Sequence, residues 1–156
     1  DVGDSTDLGA GSHGTKTLSM LGGYKPGQLI GPAYGATFYL AKTENSESET
    51  QAEEDNWCAA AEWAETNGAQ FVSSSVGYQL YDDGSGYTPS HMDGDTAVVT
   101  VCADAIAERG VVVVNSAGNR GSHPDLNTLG APSDGHFVIA VGAVTSTGAV
   151  VVVAAW

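Results

Sequence analysis

Two polar side chains, one imidazole and one amide, lie beside glycines in positions suited to proton transfer and oxyanion binding. His13 stands between small residues in the stretch 11–23, GSHGTKTLSMLGG, at the head of a predicted short helix. Asn119 ends the turn Ser-Ala-Gly-Asn that follows the apolar run 111–115. An imidazole can take and return a proton near neutral pH, and a fixed amide can donate a hydrogen bond to a developing oxyanion. A plain turn or capping role is the alternative for Asn119.

The histidine segment also contains a glycine pattern typical of dinucleotide sites. Gly9, Gly11 and Gly14 spell GxGxxG, but such a site needs a strand immediately before the first glycine. The residues that precede it, DVGDSTDL, are polar and rich in turn formers. We therefore interpret these glycines as a loop whose backbone passes close to other groups.

Composition excludes several classes of protein. The 156 residues suffice for one domain with a core, and no apolar run approaches the ~20 residues of a membrane span. Nineteen acidic and five basic side chains give a net charge of -14, which repels phosphate backbones and anionic membranes. We expect neither nucleic acid nor a membrane as a partner.

Hydrophobic patterning predicts strands that alternate with helices. The predicted helices cover 16–21, 55–68 and 95–110, and the predicted strands cover 36–42, 69–77, 111–115, 136–144 and part of 149–156. This order is typical of an α/β protein, and we predict a three-layer α/β/α arrangement around a mostly parallel sheet. Functional sites in such sheets collect at the carboxyl ends of the strands. In this chain those ends are after residue 42, at 73–78 and at 115–121.

The two cysteines fall in different predicted helices. Cys58 and Cys102 are too few and too far apart for a zinc pattern. They could form one disulfide, but two buried thiols is the preferred interpretation.

Four segments together resemble the subtilisin-like serine peptidases in order and spacing. They are SHGTKTLSM at 12–20, EWAETNGAQFVSSSVGY at 62–78, VVVVNSAGN at 111–119 and GAPSDGHFVIAVGAV at 130–144. The resemblance covers nearly the whole chain and implies a subtilisin-like fold and a serine endopeptidase that acts through an acyl-enzyme. His13 matches the family's catalytic histidine, and Asn119 matches the asparagine of its oxyanion hole.

The resemblance also implies a groove for a polypeptide substrate. One segment would pair with the substrate as an added strand, and a second segment would form the opposite wall of the pocket for the residue before the cut. The substrate-binding residues implied by this match are Ser75, Val76, Gly77, Ser116, Ala117 and Gly118.

Two members of the family's catalytic triad have no match in this sequence. The family orders its triad Asp, His, Ser along the chain. No apolar strand with an aspartate precedes His13, and no GTS motif follows Asn119 before Trp156. We therefore expect residues 1–156 to be a single partial peptidase domain, truncated at both ends and inactive by itself. The alternative is a noncatalytic domain that binds peptides in the same groove.

No cofactor or metal is expected. Calcium often stabilises subtilisin-like peptidases, but the loop after the first predicted helix, 22–31, contains no carboxylate. His91, Asp93 and Asp95 lack the spacing of an EF-hand, and a capping role explains Asp95. An extracellular or cell-envelope location is implied by the family alone.

An acidic segment precedes the second predicted helix. We interpret its six carboxylates mainly as a solvated loop. The alternative is that it borders the cleft and favours basic residues in the substrate. The six residues are Glu44, Glu47, Glu49, Glu53, Glu54 and Asp55.

Overall fold

The structure is a computed structural model that describes residues 12–45, 47–126 and 128–149. Its helices are α1 His13–Gly22, α2 Ala52–Thr66 and α3 Val98–Glu108, with a 3-10 turn at Pro89–His91. Its strands are β1 Tyr24–Lys25, β2 Leu29–Ile30, β3 Phe71–Ser74, β4 Val112–Ser116 and β5 Val138–Val141. None of the helices in these ranges is long and apolar enough to cross a bilayer. Residues 150–156, where a further strand was predicted, lie outside the described ranges.

The main sheet is parallel, with strand order β3-β4-β5. Phe71 pairs with Val112, and Val113 pairs with Val138. Strand β3 reaches β4 through α3, as a parallel pair requires a crossover connection. The predicted α/β class with a mostly parallel sheet is confirmed. Strands β1 and β2 form a separate antiparallel hairpin that contacts α1.

The core lies between one face of the sheet and the helix pair α2 and α3. Side chains alternate along β4, so that Val113 is 1% exposed and its neighbour Val112 is 46% exposed. The opposite face of the sheet carries exposed apolar side chains, including Phe71 and Ile139. The helix-facing core consists of Trp57, Ala61, Val99, Ala103, Ile106 and Val113.

Both long helices end where the sequence predicts and begin elsewhere. Gly68 and Gly110 follow α2 and α3 with φ of +85° and +97°, the left-handed conformation that glycine adopts without strain. Helix α2 begins at Ala52 rather than near Asp55, because its first turn takes in acidic residues that suit the positive helix end. Helix α3 begins at Val98, so the prediction that Asp95 caps it is wrong.

Asp93 organises the turn before α3. Its carboxylate accepts hydrogen bonds from the backbone N–H groups of Asp95 and Thr96, both at 2.9 Å. The Thr96 hydroxyl donates to the same carboxylate at 2.8 Å. The carboxylate that accepts these hydrogen bonds therefore belongs to Asp93, two residues before Asp95, the predicted cap.

The predicted strand at 36–42 is wrong. The segment has no ladder partner among the described residues, and a strand exists only through such pairing. Its aromatic side chains pack on helices instead. The Tyr39 ring meets Trp63 edge-on at 5.6 Å, and its hydroxyl donates to the carbonyl of Asn67 at 2.9 Å. The β-branched and aromatic composition reflects this packing.

The cysteines form a disulfide between α2 and α3, so the preferred interpretation of two thiols is wrong. The Cα atoms of Cys58 and Cys102 lie 5.6 Å apart, within the usual range for a disulfide. The packing of α2 against α3 brings the two residues together across 44 positions of sequence. Spacing along the chain carries no information about that approach.

Candidate functional site

A cavity of about 220 Å³ lies where β3 and β4 end. One wall consists of the residues that follow β3, and the other consists of the end of β4 and the turn after it. This is the sheet edge at which the strand order predicted a site. The lining residues are Ser75, Val76, Gly77, Gln79, Ser116, Gly118, Asn119, Arg120 and Gly130.

The structure brings together six of the eight predicted site residues. Ala117 does not line the cavity, because its N–H donates to Val141 at 2.9 Å and its carbonyl accepts the N–H of Gly130 at 3.4 Å. His13 is exposed on the first turn of α1, a helix that contacts β2, and it does not line the cavity either.

A buried amide links the two walls. The side-chain nitrogen of Asn115 lies 3.0 Å from the carbonyl oxygens of Val76 and Ser116 and 3.0 Å from the hydroxyl of Ser133. The Ser133 hydroxyl donates to the Ser116 carbonyl at 2.6 Å. Asn115 is only 1% exposed, and its side-chain oxygen has no partner among the described residues. The sequence signal for Asn115 is an amide at the end of an otherwise apolar run.

The segment after β3 is also held against residues 129–131. The N–H of Tyr78 donates to the carbonyl of Ala131 at 2.9 Å, and the side-chain amide of Gln79 donates to the carbonyl of Leu129 at 3.2 Å. A Cβ atom at Gly130 would lie 3.6 Å from the Cα atom of Gly77. Small residues at this crossing keep the cavity open.

Several polar groups of the cavity are available to a ligand. Asn119 is exposed, and its side-chain amide has no hydrogen-bond partner within the described ranges. The backbone N–H and carbonyl groups of Ser75 and Gly77 also have no hydrogen-bond partner in the described part of the chain. The cavity therefore offers the side-chain donor of Asn119 beside a stretch of unpaired backbone.

Buried carboxylates hold the loop that continues from this wall. Glu54 is 1% exposed and accepts hydrogen bonds from the hydroxyls of Tyr81 and Tyr87 and, at 2.9 Å, from the N–H of Val99. Glu44 accepts a hydrogen bond from the Tyr78 hydroxyl. Burial raises the pKa of Glu44 and that of Tyr78. The contacts of Glu54 tie the loop to α2, and the contact of Glu44 ties it to the segment before that helix.

Three carboxylates of the acidic segment cluster together. Oxygens of Glu44, Glu49 and Glu53 lie within 4.8 Å of one another, the one grouping in the described residues with metal-like spacing. Both Glu53 oxygens already accept backbone N–H groups, from Asn45 and Thr50. Burial, followed by the charges of Glu53, Glu44 and Asp82, raises the pKa of Glu49 to about 7.

The interpretation of the whole acidic segment as a solvated loop is therefore wrong. Glu53 and Glu54 belong to α2 and are buried, because backbone and tyrosine donors satisfy them. The β1–β2 hairpin carries no carboxylate, so these residues do not fit the calcium site that the resemblance suggested.

Comparison with known proteins identifies the family. The model of the Subtilase family matches residues 2–153. Subtilisin DY of Bacillus licheniformis is 32% identical over 145 residues, which are 92% of this chain and 47% of that protein. Subtilisin E of Bacillus subtilis (strain 168) is 32% identical over 138 residues, which are 87% of this chain and 32% of that protein. The chain thus spans less than half the length of either relative.

A solved structure has the same fold. The structure described as that of the prenylagaramide maturation protease PagA has a TM-score of 0.61 and 24% identity, and the match covers 93% of this chain and 47% of that one. This likeness concerns the fold alone. The family model matches nearly the whole chain, and the two relatives agree with it: the chain belongs to the subtilase family of serine peptidases.

Proposed function

We propose that this chain supplies part of the active site of a serine endopeptidase. His13 acts as general base and then general acid, and Asn119 donates to the oxyanion. The nucleophilic serine and the triad aspartate come from residues outside this sequence. The observation that carries the proposal is the cavity at the ends of β3 and β4, which places the free amide of Asn119 beside the unpaired backbone of Ser75 and Gly77.

Each of these groups has its own role in the reaction. The serine attacks the peptide carbonyl while His13 takes its proton, and His13 then returns a proton to the leaving amine. Asn119 stabilises the negative oxygen of the tetrahedral intermediate, a contribution of about 3 kcal/mol for one such donor.

The substrate is a polypeptide held as an added strand. The backbone groups of Ser75 and Gly77 pair with the extended peptide, and the small walls at Ser116 and Gly118 admit the side chain before the cut. Ala117 supports this wall through its hydrogen bonds to Val141 and Gly130. The net charge of -14 disfavours nucleic acid as an alternative partner.

The protein works outside the cytoplasm, in the extracellular space or the cell envelope. The disulfide between Cys58 and Cys102 supports this location, since such bonds persist in oxidising compartments.

Labelling with a serine-directed fluorophosphonate tests the proposal. The full-length protein should be labelled on one serine, located by mass spectrometry, and His13→Ala should slow labelling by at least about 100-fold. His123→Asn, a change at an exposed loop histidine, is the matched control and should label normally. Absence of labelling in the folded full-length protein would reject the peptidase and favour the noncatalytic peptide-binding domain.

A further inference from the structure

We infer that the cavity selects substrates with a glutamate or aspartate immediately before the scissile bond, and that Arg120 binds the carboxylate of that residue. The inference rests on the proposed function, whose substrate class it specifies. The acidic segment had suggested a preference for basic residues, yet the charged residue that lines the cavity is a cation.

Arg120 is well placed and chemically suited to this role. It is half-buried in the cavity wall, next to Asn119 and across from Ser75 and Gly77. A guanidinium group can donate two parallel hydrogen bonds to one carboxylate, which gives both strength and geometric selectivity. The hydroxyl of Ser116 accepts the N–H of Gly118 at 3.2 Å, so its own hydrogen remains available to the same ligand.

Arg120 has no direct partner for its charge among the described residues. Within the described ranges its side chain takes part in no ion pair or hydrogen bond, whereas Arg109 binds both carboxylate oxygens of Glu65, at 3.0 and 3.3 Å. The positive charge of Arg120 acts on the carboxylate of Glu49 and lowers its pKa. Burial and its acidic neighbours nevertheless keep that pKa at about 7, so Glu49 is only partly ionised at neutral pH.

The size of the cavity fits one side chain. Its volume of about 220 Å³ is below the roughly 300–1,000 Å³ of pockets for drug-sized ligands. Gly118 has a φ of +97° and a Cβ there would approach the backbone N of Gly130 at 3.4 Å, so larger residues would narrow the space. A carboxylate on a short stem can therefore enter and reach Arg120.

Peptides that differ only in the residue before the cut provide the test. For the full-length protein at low ionic strength, we expect kcat/KM to be at least about tenfold higher for Glu than for Gln. Arg120→Gln should bring this ratio close to one, and Arg120→Glu should shift the preference to Lys. Arg109→Gln makes the same change of charge outside the cavity and should retain the ratio. Mass spectrometry of the products identifies the bond that is cut.

The outcomes separate this inference from the proposed function. Hydrolysis with equal kcat/KM for Glu and Gln peptides rejects the role of Arg120 and leaves the peptidase intact. If no peptide is hydrolysed, calorimetry with peptides that end in Glu-amide or Gln-amide decides the matter. Tighter binding of the Glu peptide that Arg120→Gln removes would support the carboxylate site without the peptidase. Equal binding of the two peptides, or no binding of either, would reject both the carboxylate site and the peptidase.

Discussion

Two asparagines only four residues apart have different surroundings at the end of β4. Asn119 is exposed with a free amide, as an oxyanion donor must be. Asn115 is buried, and its amide joins the two walls of the cavity. The oxyanion role of Asn119 follows from the resemblance to the family motif and stays a prediction, since the turn alone favours a plain structural role. The sequence could not predict the partners of Asn115, because Val76 and Ser133 approach that residue only after the chain has folded.

Replacing the exposed amide should impair the chemical step. Asn119→Ala in the full-length protein should lower kcat about 100- to 1,000-fold with a smaller change in KM, since the lost hydrogen bond forms only with the oxyanion. Steady-state hydrolysis of one peptide measures both constants. Ser122→Ala, in the same exposed loop, is the control and should leave them unchanged. A rise in KM alone would contradict an oxyanion role.

Replacing the buried amide should affect substrate binding and stability. Asn115→Leu keeps the size of the side chain but leaves the carbonyl of Val76 without its donor and removes one of the two donors to the carbonyl of Ser116. We expect a loss of about 1–3 kcal/mol of unfolding free energy and a KM that rises more than kcat falls. Ser133→Ala removes one partner only and should cause a smaller change in both. Urea titration and peptide kinetics provide the measurements. An unchanged KM would show that Asn115 does not position the walls.

Among the secondary-structure elements, the sequence predicts the sheet and helices better than their boundaries. The apolar run of β4 and the periodic patterns of α2 and α3 are local signals, and these elements form where expected. The 36–42 segment has the same local preference for a strand but lacks a pairing partner among the described residues. The burial of Glu53 and Glu54 depends on donors far along the chain, such as Tyr81 and Val99.

The disulfide is a strong link between α2 and α3 that has a measurable consequence. In the chain-entropy description, closing a loop with a sequence separation of 44 stabilises the folded state by about 4 kcal/mol. The double change Cys58→Ser and Cys102→Ser should therefore lower the unfolding free energy by about that amount. A reducing agent should destabilise the parent protein but not the variant. Equal urea midpoints for the two proteins would contradict a stabilising disulfide.

The whole molecule carries a large excess of negative charge, and part of this charge is concentrated in the cluster of Glu44, Glu49 and Glu53. Five basic side chains face nineteen acidic ones. Arg109 is paired with Glu65, while the charge of Arg120 acts on Glu49, a member of the Glu44, Glu49 and Glu53 cluster. Ionisation of Glu49 therefore adds a repulsive charge to a crowded group of carboxylates. Protein stability should reflect this repulsion as the pH changes.

Glu49 should make the protein less stable as the pH rises from about 5 to 8. Its pKa is about 7 in the folded protein against an ordinary value of 4.5, so between these values the folded state holds a proton that the unfolded state releases. Rising pH removes that proton at a cost in stability. Glu49→Gln removes this titration. The unfolding free energy of the variant minus that of the parent should therefore be larger at about pH 8.5 than at about pH 5. Glu47→Gln, at an exposed site in the same segment, should show no such pH dependence. Equal effects of Glu49→Gln at both pH values, measured by urea unfolding of the full-length protein, would show that the carboxylate cluster does not raise the pKa of Glu49.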